Sequence, residues 1–243
     1  MIRETLRSCC RMQSAKYVWL KSQGKQEGVH MCGRCITLTY DEVMDVIHQI
    51  EVGLSIQVEP DWPAQYPQAY PKSRVPLILS EGAPDFGAPE SSAPQPNQQL
   101  RLFAEEKTWG FEESWKNGVV FNTRIESADK PMWRESLAHR RCVICARGFF
   151  ETHATETVPS PKTGRMIKAQ YEFNVPDQSI LFIGGIWKED RFSMVTTQAN
   201  ADMVPIHHRM PLVLRPAELA SWFGPEYLRL ADRSAIPLEA HRA

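Results

Sequence analysis

The chain has 243 residues, of which 42% are hydrophobic and 23% are charged, and its formal net charge is −1. This composition is typical of a globular protein with one large domain or two small ones, and no apolar run approaches the ~20 residues of a membrane-spanning helix. The charge is uneven, because residues 1–31 hold six basic and two acidic residues and the remainder is acidic. An acidic body argues against broad, non-specific duplex binding but leaves room for a local basic cleft.

Residues 1–31 form the first segment, which shows neither a hydrophobic period nor helix caps. Its one apolar patch, at residues 17–20, is far too short for a secretory signal, so we expect a cytoplasmic protein with free thiols. We interpret the segment as an extension that is either a mis-assigned start or removed, with Met31 as the start codon and Cys32 as the first mature residue. The alternative is a genuine flexible arm whose basic residues contact nucleic acid.

A short β-type run at residues 35–38 comes next in the chain. Thr39 and Glu42 then match a capping box, which together with the hydrophobic spacing predicts a helix over residues 40–51. Residues 58–71 interleave aromatic residues with prolines, which indicates an ordered loop rather than a linker.

A strand is predicted at residues 75–79, and Pro76 within it indicates an edge position. Residues 82–99 are rich in Pro, Ser, Gly and Gln, which is typical of a flexible insert between two strands. The later predicted elements are a strand at 100–109, a helix at 131–139 that begins with Pro131, a strand at 142–150, a hairpin of 166–175 and 179–187, a strand at 191–197 that pairs back, a strand at 210–214 and a helix at 216–223.

Strands dominate this pattern and do not alternate regularly with helices. The sequence therefore predicts one α+β domain, with a mainly antiparallel twisted sheet, a barrel-like core and a few flanking helices. We place this domain at residues 32–230 and a C-terminal tail at residues 231–243.

Four of the six cysteines form two C-x-x-C pairs, Cys32 with Cys35 and Cys142 with Cys145, which could together bind a tetrahedral zinc ion. However, 106 residues separate the pairs, and the second pair lies in an apolar strand, where positions i and i+3 point to opposite faces. A redox role for the first pair needs a preceding strand and a following helix N-terminus, and the pattern shows neither. We therefore expect Cys142 and Cys145 to be small buried residues, and we expect no metal site and no cofactor.

Three polar clusters remain, at residues 109–126, 140–151 and 196–211. Taken singly, their residues have ordinary structural explanations. These are a turn for Asn122, a surface ion pair for Arg124, a solvated strand end for Glu151, a structural role for His207 and a core position for Trp115.

Taken together, four segments resemble one family in their order and spacing. They are Met31-Cys32-Gly33-Arg34, Asn122-Thr123-Arg124-Ile125-Glu126, the run from Arg141-Cys142 to Gly148-Phe149-Phe150-Glu151, and Ile206-His207-His208-Arg209-Met210-Pro211. They look like the signature motifs of the SRAP family, the SOS response-associated peptidase-like proteins that crosslink to abasic sites in single-stranded DNA. The resemblance covers residues 31 to about 223 and is specific because all four motifs occur together.

The resemblance implies a catalytic set of Cys32, Asn122, Glu151 and His207. The α-amine and thiol of an N-terminal Cys32 would capture an aldehyde as a five-membered thiazolidine ring. An abasic deoxyribose is mostly a closed hemiacetal, so opening it needs a proton donor and an acceptor. A carboxyl group and a histidine suit this general acid–base role near neutral pH. An abasic-site lyase activity through the imine is a further expectation.

The resemblance also implies a DNA-binding set of Arg34, Arg124, Trp115 and Thr196. Guanidinium groups recognise phosphate through paired hydrogen bonds, and an exposed tryptophan can stack on an unpaired base. Asn122 would help Arg124 to hold the sugar-phosphate, and Thr196 would give polar support nearby. The expected partner is single-stranded DNA that contains abasic sites; we expect no membrane partner and a monomeric protein.

The chain departs from the family pattern at several places. The family begins at the cysteine, whereas 31 residues precede Cys32 here, and an amide at Cys32 would abolish thiazolidine chemistry. The family's Tyr-Asn-x-Ala-Pro loop is degenerate at residues 66–71, Thr152 replaces a tryptophan, and His208 stands where an acidic residue is common.

Two other classes of function remain open from the sequence. One is a thiol peptidase that cuts its own N-terminal segment or other proteins, with Cys32, Glu151 and His207 as the acting groups. The other is not an enzyme: a reader of modified bases in DNA, or a zinc-stabilised binding module.

Overall fold

The structure is a computed structural model that describes residues 32–53, 55–56, 67–81, 100–115 and 117–243. The predicted extension at residues 1–31, the insert at 82–99 and most of the ordered loop at 58–71 lie outside the described residues. Among the residues described, no helix is long and apolar enough to cross a membrane.

The described residues contain many short strands and three α-helices. In chain order the strands are β1 (Cys35–Thr37), β2 (Gln68–Ala69), β3 (Arg74–Glu81), β4 (Arg101–Trp109), β5 (Phe111–Glu112), β6 (Val119–Val120), β7 (Asn122–Arg124), β8 (Arg141–Pro159), β9 (Met166–Asn174), β10 (Leu181–Lys188), β11 (Arg191–Gln198), β12 (Arg209–Pro211), β13 (Val213–Leu214) and β14 (Glu239–Arg242). The α-helices are α1 (Tyr40–Glu51), α2 (Pro131–His139) and α3 (Leu219–Phe223), and short 3₁₀ helices lie at Ile125–Ser127, Pro216–Glu218 and Tyr227–Ala231.

Five strands close into a ring in the order β3, β4, β11, β10 and β8. The ring closes at β8, which pairs with β10 on one side and with β3 on the other. The contact between β4 and β11 is parallel, and the other four contacts of the ring are antiparallel. The predicted α+β class with a mainly antiparallel, barrel-like core is therefore confirmed.

Neighbouring residues along the ring strands alternate between two buried hydrophobic clusters, because successive side chains of a strand point to opposite faces. Leu77 belongs to one cluster and Ile78 to the other. The second cluster also contains the buried faces of the three α-helices, so it lies between the ring and the helices, and the first fills the ring. Cys142 lies in the inner cluster and Cys145 in the outer one, which confirms that this pair is split between two faces.

The helices with local end signals lie where the sequence predicts them. α1 has the predicted capping box, in which the Thr39 main-chain N–H donates to Glu42 Oε2 at 2.7 Å and the Thr39 hydroxyl accepts from the Glu42 N–H at 3.4 Å. α2 begins with Pro131 in its first turn, where the missing N–H of proline has no intrahelical partner to lose.

The predicted hairpin of residues 166–175 and 179–187 is wrong in its pairing. The two strands exist as β9 and β10, but β9 pairs with β8 and β14, and β10 pairs with β8, β11 and β13. The reason is the length of β8, which has 19 residues instead of the predicted nine. Its first part pairs with β10 and its later part with β9, so both strands bind one long neighbour rather than each other.

Three smaller predictions need correction, and one is confirmed. β3 is not an edge strand, since it pairs with both β4 and β8, and Pro76 is tolerated because the register with β8 begins only at Leu77. The strand predicted at 210–214 divides into β12 and β13, and the helix predicted at 216–223 begins as a 3₁₀ turn. β11 pairs back on β10 as predicted.

The predicted C-terminal tail is partly built into the sheet. Glu239–Arg242 forms β14 and pairs with β9, and Ile236 is buried in the inner cluster. Packing therefore continues well beyond residue 230, where we placed the end of the domain.

Candidate active site

Cys32 is buried and lies three residues before Cys35, the first residue of β1. This segment runs along β8, with the Phe150 N–H donating to the Arg34 carbonyl at 2.9 Å and Cys35 opposite Phe149. The pairing brings Cys32 beside Glu151, and the Cys32 main-chain nitrogen donates to Glu151 Oε2 at 2.7 Å. Cys32 is 1% exposed, so this contact is shielded from bulk water.

Glu151 is a buried carboxyl group at the point where β8 leaves the ring. It shares a strand face with Phe149, whose ring lies in the inner cluster, and it is 1% exposed. Burial raises the pKa of Glu151 to about 7, even though hydrogen bonds from the Cys32 and Thr152 main-chain N–H groups favour the carboxylate. A carboxyl group with this pKa exists in both protonation states near pH 7, which suits a general acid–base catalyst.

The Cys32 thiol is held as a neutral group in this arrangement. Burial raises its pKa well above the ordinary value, and a hydrogen bond with the Cys35 thiol and the charge of Glu151 raise it further. Asn122, in β7, donates from Nδ2 to the Cys32 carbonyl at 3.4 Å. Three of the four predicted catalytic residues therefore meet at one point, although β1, β7 and β8 are far apart in sequence.

His207 is a buried histidine on the loop that precedes β12, 3% exposed. The Arg209 main-chain N–H donates to its Nδ1 at 3.1 Å, and the Arg209 carbonyl is farther away, at 3.3 Å. Since a main-chain N–H can only donate, we assign Nδ1 as an acceptor and the ring proton to Nε2. Nε2 is buried and has no hydrogen-bond partner within the described part of the chain.

The surroundings of His207 keep its ring neutral and tie its loop to the strand of Glu151. Burial lowers the pKa of His207 more than a hydrogen bond with the Arg209 main chain raises it, and the charges of His208 and Arg209 lower it further. The Ala154 N–H, three residues after Glu151, donates to the carbonyl of Ile206 at 3.0 Å. Ile206 also shares the inner cluster with Cys32, so the structure places the predicted second acid–base group in the same region of the fold.

Glu126 and Arg209 join the two sides of this region, and our sequence analysis gave them no role. Arg209 binds the Glu126 carboxylate with two parallel contacts, Nη1 to Oε1 at 2.7 Å and Nη2 to Oε2 at 2.8 Å. Burial would raise the pKa of Glu126, but the hydrogen bonds and charge of Arg209 lower it below its ordinary value. β7, which contains Asn122, and β12, which begins two residues after His207, both pair with β11. The ion pair spans β11 and holds the turn after β7 against the start of β12. Both residues lie inside motifs that the sequence analysis recognised, and this position was the one signal in the sequence that they belong to the site.

Thr196 requires a correction. It was predicted to contact DNA, but its side chain is fully buried in β11. Its hydroxyl donates to the Thr123 carbonyl at 3.4 Å, and its carbonyl accepts from Arg209 Nη2 at 2.9 Å. Thr196 therefore positions Arg209 inside the protein, and its side chain does not reach the surface where DNA could contact it.

The other three predicted DNA-binding residues have accessible side chains. Trp115 is 61% exposed, which excludes the core position that was its structural alternative. Arg124 is exposed at the end of β7. Arg34 stacks on the Phe150 ring with its guanidinium carbon 3.7 Å from the centroid, and it donates to Gln68 at 3.1 Å and to Gln170 at 3.2 Å.

Comparison with known proteins identifies relatives over most of this fold. A family model described as SOS response associated peptidase (SRAP) matches residues 31–240. The Bacillus subtilis abasic site processing protein YoqW is 27% identical over 213 residues, which are 81% of this chain and 81% of that protein. The Escherichia coli abasic site processing protein YedK is 29% identical, over 53% of this chain and 61% of its own. The yeast abasic site processing protein YMR114C is 29% identical over 128 residues, 47% of this chain but only 32% of its own length.

Solved structures show the same fold at lower identity. A protein from Bacteroides thetaiotaomicron matches with a TM-score of 0.55 and 20% identity, over 87% of this chain and 91% of its own. A phage-related protein from Bordetella bronchiseptica matches with a TM-score of 0.57 and 19% identity, over 87% of this chain and 94% of its own.

The raised pKa of Glu151 predicts how stability depends on pH. In the chain that keeps residues 1–31, the Glu151 carboxyl group stays protonated up to about pH 7 when folded, but titrates near 4.5 when unfolded. The contribution of Glu151 to the free energy of unfolding is thus fully present below pH 4.5 and is lost as pH rises through 7, a change of about 3 kcal/mol. Glu151→Gln should remove this loss from the free energy of unfolding measured by urea denaturation between pH 4 and 8. Replacement of the exposed Glu51 by Gln is the control, and equal pH profiles for the two variants would refute the assignment.

Proposed function

The chain belongs to the SOS response-associated peptidase (SRAP) family, and we propose that it binds single-stranded DNA and traps abasic sites covalently through Cys32. The observation that carries the proposal is the 2.7 Å contact between the Cys32 nitrogen and the buried Glu151 carboxyl group. The names of the relatives, all abasic site processing proteins, support the substrate class.

The proposed chemistry requires that the bond between Met31 and Cys32 is cut. The Cys32 nitrogen is then an α-amine whose ordinary pKa is about 7.7–8.0. At 2.7 Å, an α-ammonium group can pass its proton to the Glu151 carboxylate. The free amine attacks the aldehyde carbon, and the aldehyde oxygen leaves as water when the imine forms. The Cys32 thiol adds to the imine carbon and its proton moves to the nitrogen, which completes the thiazolidine.

Opening of the abasic sugar is the step before capture in this proposal. A base removes the proton of the anomeric hydroxyl while an acid protonates the ring oxygen. The Glu151 carboxylate, 2.7 Å from the Cys32 nitrogen, can act as the base and, once protonated, as the acid. The neutral His207 offers a buried Nε2–H donor that lacks a partner among the residues described. The same imine is the intermediate of an abasic-site lyase, so strand cleavage is a second proposed outcome.

In this proposal three accessible side chains hold the DNA at the site. Arg124 and Arg34 bind phosphate oxygens, since guanidinium groups form paired hydrogen bonds with them. Trp115 stacks on an unpaired base, a contact worth about 1–3 kcal/mol. A single strand is favoured because stacking requires a base that has left its duplex partner.

The first test separates the amine from the thiol of Cys32. Protein that begins at Cys32 should give a shifted band with abasic single-stranded DNA on a denaturing gel. Cys32→Ala at the same chain start keeps an α-amine and loses the thiol, so it should give a band only after borohydride reduction of the imine. A chain that retains residues before Cys32, checked by intact mass, keeps the thiol without the amine and should give no band in either case. The proposal fails if wild-type protein with a confirmed Cys32 N-terminus gives no band.

A second test measures the effect of the new amine on Glu151. An ammonium group this close to a carboxylate lowers the carboxyl pKa by about 1–3 units. Titration of ¹³C-labelled glutamate by NMR should therefore show the Glu151 pKa well below 7 in protein that begins at residue 32. The comparison uses Cys32→Ala in both chain lengths, so that neither cleaves itself. The same pKa in both would show that the amine does not lie beside the carboxyl group.

A specific observation favours self-cleavage as a second candidate function. Cys32 has a φ of +25°, a conformation that costs a non-glycine residue about 1–2 kcal/mol. Cleavage before Cys32 removes this dihedral and releases the strain. In this proposal the thiol attacks the Met31 carbonyl and gives its proton to the Glu151 carboxylate, Glu151 passes a proton to the departing Cys32 nitrogen, and water hydrolyses the thioester.

The self-cleavage proposal predicts a mass change in purified full-length protein. Incubation should remove residues 1–31 from wild type, as seen by intact mass, and Cys32→Ala should keep them. A stable full-length wild type, or equal loss in the variant, would rule out self-cleavage.

A further inference from the structure

A two-stranded arm extends beyond the ring from the strand that carries Glu151. We define the β8–β9 arm as residues 157–168. Its strands stay in register, with Thr157 opposite Lys168 and Pro159 opposite Met166. At its root the register shifts, because residues 153–156 bulge out of β8 and Gln170 pairs with Thr152. The arm therefore begins at this bulge, next to the part of β8 that carries Glu151.

The surface of the arm differs from the rest of the protein. It contains three basic residues, Lys162, Arg165 and Lys168, and no acidic residue, whereas the whole chain has a net charge of −1. Within the described residues no carboxylate pairs with Lys162 or Arg165. Met166 is 60% exposed and Ile167 is 46% exposed, so apolar side chains lie beside the free cations. Single-stranded nucleic acid binds to surfaces whose cations follow its phosphates, and the exposed Met166 side chain adds apolar area against which a base face can pack.

Arg34 links the root of the arm to the segment that contains Cys32. Arg34 donates to Gln170 at 3.2 Å, and Gln170 lies at the root of the arm. Side chains two residues apart on a strand share a face, so Gln170, Lys168 and Met166 form one line along β9. This line leads from Arg34, two residues after Cys32, to the tip. The Lys168 ammonium donates to the Ala154 carbonyl at 2.6 Å, which leaves Lys162 and Arg165 as the free cations.

We propose that the β8–β9 arm binds the DNA strand on one side of the abasic nucleotide, with Lys162 and Arg165 on phosphates and Met166 against base faces. The proposal rests on the proposed DNA function and adds the path of the strand. The five steps along the chain from Gln170 to Arg165 span about 17 Å, at roughly 3.3 Å per residue. At about 3.4 Å per stacked nucleotide, the arm covers about five nucleotides.

The experiment measures binding without crosslinking. Protein that begins at Cys32 is titrated with oligonucleotides that contain a tetrahydrofuran abasic analogue, which has no aldehyde. The number of nucleotides on the 5′ or the 3′ side is varied from one to ten. Wild-type affinity should rise on one side only until about five nucleotides are present, whereas Lys162→Ala with Arg165→Ala should lose this rise. Arg101→Ala with Arg229→Ala is the matched control, because both of these side chains are 81% exposed.

Salt dependence gives an independent readout. Each phosphate contact with a single strand contributes about 0.7 to the slope of log affinity against log salt. The double variant Lys162→Ala with Arg165→Ala, called the arm variant, loses two such contacts, so the magnitude of its slope should be smaller by about 1.4. Between 50 and 200 mM salt its affinity should therefore fall about sevenfold less than that of wild type. Crosslinking to a natural abasic site at saturating DNA should remain, which separates failure of this inference from failure of the function. The proposal is overturned if the arm variant matches wild type and the control in slope and length dependence, as it would if the arm bound a protein partner instead.

Discussion

The contact between the Cys32 nitrogen and the Glu151 carboxyl group is the constraint on which the rest of the site depends. A buried carboxyl group is costly unless it is neutral or hydrogen-bonded, and this one accepts from two main-chain N–H groups. Its position requires that β1 runs along β8 with Cys35 opposite Phe149. A shift of one residue would turn Glu151 away from Cys32 and leave the nitrogen without its carboxyl partner, because both neighbours of Glu151 in β8, Phe150 and Thr152, lack a carboxyl group. The register of one strand pair therefore determines which acid–base group lies beside Cys32.

β8 is the element that connects the ring, the candidate site and the proposed path of the DNA strand. Its first part closes the ring against β10 and β3, its middle carries Glu151, and its last part forms the β8–β9 arm. The ion pair between Glu126 and Arg209 adds a second constraint, because it holds the elements of Asn122 and His207 across β11. Rigid positioning of this kind matters for catalysis, since small displacements of acid–base groups cost large factors in rate.

The sequence predicted most accurately what depends on local interactions. The bounds of α1 and α2 follow from a capping box and from a proline in the first turn, and both lie within a few residues of their signals. The candidate catalytic set was predicted from motif resemblance, and the structure brings three of its members, Cys32, Asn122 and Glu151, into contact. The hairpin of β9 and β10 was wrong because a turn between strands says nothing about a third strand long enough to pair with both. The burial of Thr196 and the role of Arg209 depend on which strands neighbour β11, and local patterns do not contain that information.

The chemical identity of the linkage is the most direct test of the account. Protein that begins at Cys32 would be reacted with abasic single-stranded DNA and treated with nuclease and trypsin, and the peptide Cys32-Gly33-Arg34 would be examined by tandem mass spectrometry. The account predicts that this peptide carries the deoxyribose fragment on its first residue, with both the amine and the thiol of Cys32 blocked in a ring. A Cys32 thiol that still reacts with an alkylating agent, or a deoxyribose fragment attached to a lysine, would contradict it.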